Sequence, residues 1–238
     1  MKVHYERSGG RLPPRDREIL EISEDGSFTL WRSVGWATHP PTPVGRFAGR
    51  LDTETHQALR VAAVAAVAAG DLHLVPKPDA AIETVQVDSA QAKMGTHEEP
   101  PGAWGMLMTH LRQLLGELTN QPQAALALEV VDSGRQARLV HLGHEPLRLD
   151  FTDLTVRAVL WEGHRKVGDW WAVRGWRPSE GAEVTATAGW SLALPFDHDF
   201  VLNEGREVTA FATLAIYDGE RRVSASLNTP RQVASQTP

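Results

Sequence analysis

Larger apolar side chains fall on every second residue from Val184 to Leu194, at Val184, Ala186, Ala188, Trp190, Leu192 and Leu194. Successive strand residues point to opposite faces, so this period predicts one half-buried β-strand with Trp190 in the core. The same alternation appears at Leu126, Leu128 and Val130, at Leu147, Leu149 and Phe151, and at Leu154, Val156, Ala158 and Leu160. It returns at Val208, Ala210, Ala212, Leu214 and Ile216, turns at Asp218-Gly219, and resumes at Val223, Ala225 and Leu227. Asp132-Ser133-Gly134 supplies another turn. Roughly six to eight short strands with frequent turns predict an Ig-like β-sandwich.

The first half reads differently. Val3 and Tyr5 alternate into Ser8-Gly9-Gly10, Leu20 and Ile22 keep strand register, and Asp25-Gly26 turns the chain toward Phe28 and Leu30. A Pro-rich loop follows from Thr38 to Pro43, and Arg46 to Leu51 suits a further strand. Asp52 or Thr53 then offers an N-cap, and an Ala/Val helix runs to Ala69 before Gly70. Leu59, Val64 and Val67 are expected on its inner face. Residues 82–88 read as a strand. Leu107, Leu111, Leu114, Leu115 and Leu118 form the apolar stripe of a second helix.

The fold class expected is therefore α+β: an N-terminal small antiparallel sheet with two helices, followed by an all-β Ig-like sandwich domain. The boundary falls at Thr119 to Gln123, giving domains over 1–120 and 123–234.

Charge changes this picture only by exclusion. The net charge of -6 divides equally, with 12 Lys+Arg against 15 Asp+Glu in residues 1–120 and again in 121–238. No segment gathers the basic charge that a phosphate backbone requires, so no nucleic-acid partner is expected. The chain has no cysteine, which removes disulfides, thiolate metal sites and a cysteine nucleophile and fits a reducing cytoplasm. Met1 to Gly10 lacks the apolar core of a secretory signal, and the Val61–Ala69 run is too short for a membrane span. A cytoplasmic protein without a membrane partner is the expectation.

The familiar phosphate-loop, dinucleotide, H-E-x-x-H and G-x-S-x-G motifs are all missing from the sequence. His141 and His144 flank Gly143 and would bind a metal only if a turn converged them; otherwise positions three apart on a strand diverge. The plainer reading is a β-turn. Asp197-His198-Asp199 and His97-Glu98-Glu99 offer too few ligands for calcium and read as polar loops. No catalytic residue, metal site or cofactor follows from these clusters.

Tryptophan is the more suggestive residue. Trp161, Trp170, Trp171, Trp176 and Trp190 all lie in the second half, and adjacent Trp170 and Trp171 must face opposite ways on a strand. An exposed indole marks a binding surface, whereas a covered one is core. Candidate binding residues are Arg11, Trp36, Trp170, Trp171 and Trp176, in loops spanning Arg11–Asp16, Trp36–Pro43 and Lys166–Trp176. The alternatives are a carbohydrate or small-ligand module stacking on Trp170, Trp171 or Trp176, and a metal-dependent enzyme using His141, His144 and Asp197 to Asp199.

The opening V-H-Y-E-R-S-G-G, followed by P-P-R-D-R-E-I-L-E-I, resembles the start of emfourin-type inhibitors of thermolysin-like metalloproteases. Arg7, Gly9, Gly10 and the strand near Leu20 to Ile22 carry the likeness, and the later helices and strand to residue 118 follow in compatible order. The Asp25-Gly26 hairpin and the Pro-rich loop lengthen the segment before the first helix. The resemblance implies a non-catalytic protein whose partner is another protein, a protease among the candidates, and an inhibitory or regulatory role.

Overall fold

The computed structural model describes residues 1–9, 16–34, 43–78, 80–96, 98–131, 136–171, 178–179, 181–195 and 206–233, the residues Asp16, Trp170, Trp171, Pro195, Gln232 and Val233 by their backbone alone. The chain forms two compact units, Met1–Ser33 with Arg46–Pro122, and Val34–Gly45 with Gln123–Pro238. Strands predominate and two α-helices accompany them, an α+β composition.

In the first unit, β1 (Val3–Gly9) pairs antiparallel with β2 (Asp16–Ile22) on one side and β6 (Ile82–Val87) on the other. The order runs β4 (Val44–Arg50), β3 (Ser27–Arg32), β2, β1, β6, β7 (Ala90–Gly95) and β5 (Leu72–His73), with β5 parallel to β7. Register places two apolar rows across the sheet. Phe28, Ile22, Val3, Val87 and Ala90 form the first, and Leu30, Leu20, Tyr5, Val85 and Ala92 the second. All ten are buried.

Helix α1 (Thr53–Ala69) starts where Asp52 Oδ1 accepts the Thr55 N–H at 2.9 Å, and it ends at Gly70. Its buried face is Leu59, Ala62, Ala63 and Ala66. The expected face is corrected on one side: Leu59 is buried, but Val64 is 61% exposed, as is Val61. Alanines let α1 approach its neighbours closely, and the β-branched valines are displaced to the outside. Helix α2 (Gly102–Glu117) buries Leu107, Leu111, Leu114 and Leu115 as the stripe predicts, together with Trp104 and Met108.

The second unit contains two sheets. One runs β13 (Ser191–Pro195), β9 (Gln136–Gly143), β8 (Pro122–Val131). The other runs β11 (Arg165–Trp171), β10 (Leu147–Glu162), β14 (Glu207–Asp218), β15 (Arg221–Asn228), with β12 (Glu183–Ala186) on β10 and β16 (Gln232–Val233) on β14. The β14–β15 hairpin turns where expected, and Val208, Ala210, Ala212, Leu214 and Ile216 are buried. Leu147 to Glu162 forms one strand, whose register slips between Asp150 and Thr155.

Val184 to Leu194 is not one strand. Gly189 takes φ +81°, a conformation that side-chain-bearing residues adopt only with strain, and the chain reverses over Thr187–Trp190. β12 therefore pairs with β10, while β13 pairs with β9. Trp190 stands in the reversal, half-buried, with its ring 6.5 Å from that of Phe151. The period of two survives because both short strands are half-buried, and it conceals the turn between them.

Candidate functional site

The third register row of the first unit's sheet is charged. Arg32 on β3 stands opposite Glu18 on β2, Glu18 opposite Arg7 on β1, and Arg7 opposite Glu83 on β6. Signs alternate along the row, which is the favourable cross-strand arrangement. The row continues inward the register of Tyr5 and Val3, so these charges lie on the covered face. Arg32 is only 1% exposed; Glu18 and Glu83 are also buried.

Glu83 is gripped from two elements, and Glu18 is held by an arginine that itself reaches α2. Arg32 Nε donates to Glu18 Oε1, and Arg32 Nη2 donates to the Leu115 carbonyl of α2 at 2.8 Å. The Tyr5 hydroxyl donates to Glu83 Oε1 at 2.9 Å, and Arg112 Nη2 of α2 donates to Glu83 Oε2 at 2.5 Å. Arg112 also reaches the Glu98 carbonyl at 3.1 Å, fastening the connection between β7 and α2. Burial opposes the Arg112 charge, but the Glu83 hydrogen bond and its negative charge outweigh burial and hold the guanidinium more firmly protonated. Burial, then the neighbouring charges of Glu18 and Glu83, pushes the Tyr5 phenol well above its ordinary value. Tyr5 is thus a neutral hydrogen-bond donor rather than a nucleophile.

The chemistry of this row is positional. Paired charges under a helix fix the end of the sheet at which β1 stops and β2 begins, and residues 10–15 join those two strands there. Ser33 adds to the bracing: its Oγ accepts the Arg17 N–H at 3.1 Å, and its own N–H donates to the Arg17 carbonyl at 2.9 Å. At the other end of the same strands, an open groove of about 520 Å³ is lined by Lys2, His4, Glu21, Gln86 and Asp88. Several of its polar groups are paired with one another: Asp88 Oδ1 accepts the Lys2 backbone N–H, and His4 lies against Glu21.

Of the binding residues expected from sequence, Arg11, Trp36 and Trp176 lie outside the described residues. Trp170 and Trp171 are placed by backbone alone, in β11 opposite Ala158 and Arg157. That corrects the expected Lys166–Trp176 loop, because Lys166 to Trp171 is strand. His97 and Asp197 to Asp199 lie outside the described residues. His141 is buried on β9 while His144 is exposed in the next turn, so the two do not converge. No group of three metal-ligating side chains is present among the described residues.

Two described aromatic rings of the second unit carry cations at close range. Arg231 lies 4.1 Å over Trp161, and Arg148 lies 4.2 Å over Tyr217. A guanidinium on the ring face occupies the position a sugar would stack upon. Around these rings Arg157 and Lys166 bind Asp169, and Arg222 binds both Asp150 and Asp153.

The charged row was missed by sequence reasoning, although its signal is present. V-x-Y-x-R, E-x-L-x-I, F-x-L-x-R and E-x-V-x-V each carry the inward period to a charge, at Arg7, Glu18, Arg32 and Glu83. No helix of the described residues is long and apolar enough to cross a membrane. Comparisons with protein-family models, with curated proteins and with solved structures find no match.

Proposed function

We propose that this chain is a non-catalytic recognition protein that binds another protein, as an inhibitor or regulatory partner, with a protease as the leading class of partner. The observation that carries this reading is the charged row of Arg32, Glu18, Arg7 and Glu83, which braces the sheet end from which residues 10–15 depart. A recognition loop held on a rigid scaffold loses little conformational freedom on binding, which favours affinity. Arg11 and Arg15 give that segment positive charge. The resemblance to emfourin-type inhibitors, specific in the first twenty residues and compatible in element order to residue 118, supports the same assignment and points to thermolysin-like metalloproteases. In this reading the second unit is an Ig-like β-sandwich, a framework whose two sheets approach at Phe151 and Trp190, and the protein acts in the cytoplasm.

The test is incubation of the intact protein with metallo-, serine and cysteine proteases. Stoichiometric slowing of one class is expected, through an interface near ~1,600 Å². Arg11→Ala should weaken it without altering thermal stability. Absence of any slowing at micromolar concentration would overturn the proposal.

A further inference from the structure

His141 stands on the inward register of β9 and is 4% exposed, yet neither Nδ1 nor Nε2 has a hydrogen-bond partner. Buried polar atoms are nearly always paired, and an apolar side chain here would cost less. The surroundings disfavour the charged ring. Leu126 of β8 is its cross-strand partner, with Ala124 and Leu128 on the same face. On the other side the His141 N–H donates to the Trp190 carbonyl at 3.0 Å, next to Leu192 and Leu194 of β13.

No described carboxylate pairs with the ring. Glu129 of β8 is bound by Arg138 of β9 at 2.7 Å. Asp150 of β10 is bound by Arg222 of β15 and by the Thr152 N–H. The turn after β9 brings exposed His144 and half-buried Glu145; only the Glu145 backbone favours the charged ring, and burial outweighs it.

We infer that His141 is an acid switch in the second unit: protonation of its ring releases β9 from β13 and opens the Thr187–Trp190 reversal. An imidazolium cannot remain in an apolar interior without a counter-charge, and the shorter of the two strands flanking β9 is β13, which follows a glycine turn. The sign follows from linkage. The buried ring takes a proton less readily than in the unfolded chain, so protonation favours the open state as pH falls below the ordinary 6.5.

Amide hydrogen exchange on the intact protein from pH 7.5 to 4.5, corrected for the intrinsic pH dependence of exchange, tests this. Opening of β9 and β13 should rise up to about tenfold per pH unit below 6.5 relative to β14 and β15, and His141→Leu should abolish that excess. Equal pH slopes in wild type and variant would overturn it. Should the variant fail to fold, NMR titration of the wild-type ring decides. A ring that titrates at or above 6.5 contradicts the inference, and one that stays neutral until β9 opens supports it.

Discussion

Arg32 and Glu18 face each other across β3 and β2, both buried, and the same guanidinium holds the Leu115 carbonyl of α2. One side chain therefore ties two strands to a helix. Glu18→Gln removes the negative charge that Glu18 sets against buried Arg32 and is expected to cost about 3–5 kcal/mol in urea unfolding. Replacing both partners, Arg32→Met with Glu18→Leu, should recover most of that loss. If the double variant is no better than the single one, the pair is not acting through its charge.

The exposed valines of α1 give a contrast with the buried alanines of the same helix. Val64→Lys should change stability by no more than about 0.5 kcal/mol, because the side chain already meets water. Ala63→Leu should cost about 1–3 kcal/mol, since Ala63 is fully buried and the helix would have to move outward. Thermal denaturation of the two variants distinguishes this face from the one expected by hydrophobicity alone.

Gly45 lies where a Cβ would stand 2.3 Å from the Ala124 carbonyl oxygen and 2.7 Å from Ala125 Cα, and its φ is +130°. Both contacts are backbone atoms, so no side-chain rotation relieves them. Gly45→Ala should destabilise by about 2 kcal/mol or more, read as a fall in the denaturation midpoint.

Burial opposes the Asp150 charge, but hydrogen bonds from Thr152 and Arg222 prevail and hold its carboxyl at about 2. A depressed value means that the stabilisation is complete above the ordinary 3.8 and is lost as pH falls from there toward 2. Asp150→Asn should cost about 1–3 kcal/mol at pH 7, and the gap to wild type should close on acidification through that window. Denaturant titrations at neutral and acidic pH give both numbers.

Much of this architecture was legible where one face of an element meets the core and the other meets water. Tyr5, Leu20, Leu30 and the leucines of α2 declared themselves by period, and Asp52 and Gly70 by capping chemistry. The failures have physical causes. In α1, volume rather than hydrophobicity selects the inner face, so alanines displace valines. From Val184 to Leu194 a single glycine reverses the chain without disturbing the alternation. The charged row escaped because burial of Arg32 and Glu18 depends on partners from three strands and a helix, which no single window contains. Indoles were a poor guide for another reason. Trp161 is topped by Arg231 and Trp190 is half-buried beside Phe151, so neither matches the simple choice between displayed and enclosed.

The central claim, recognition of a protein partner, is tested most directly by titrating the intact chain against a thermolysin-like metalloprotease, with serine and cysteine proteases in parallel. The account predicts saturable, stoichiometric inhibition of one class, weakened by Arg11→Ala while the denaturation midpoint stays fixed. Full activity of every protease at micromolar concentrations of the chain would contradict it.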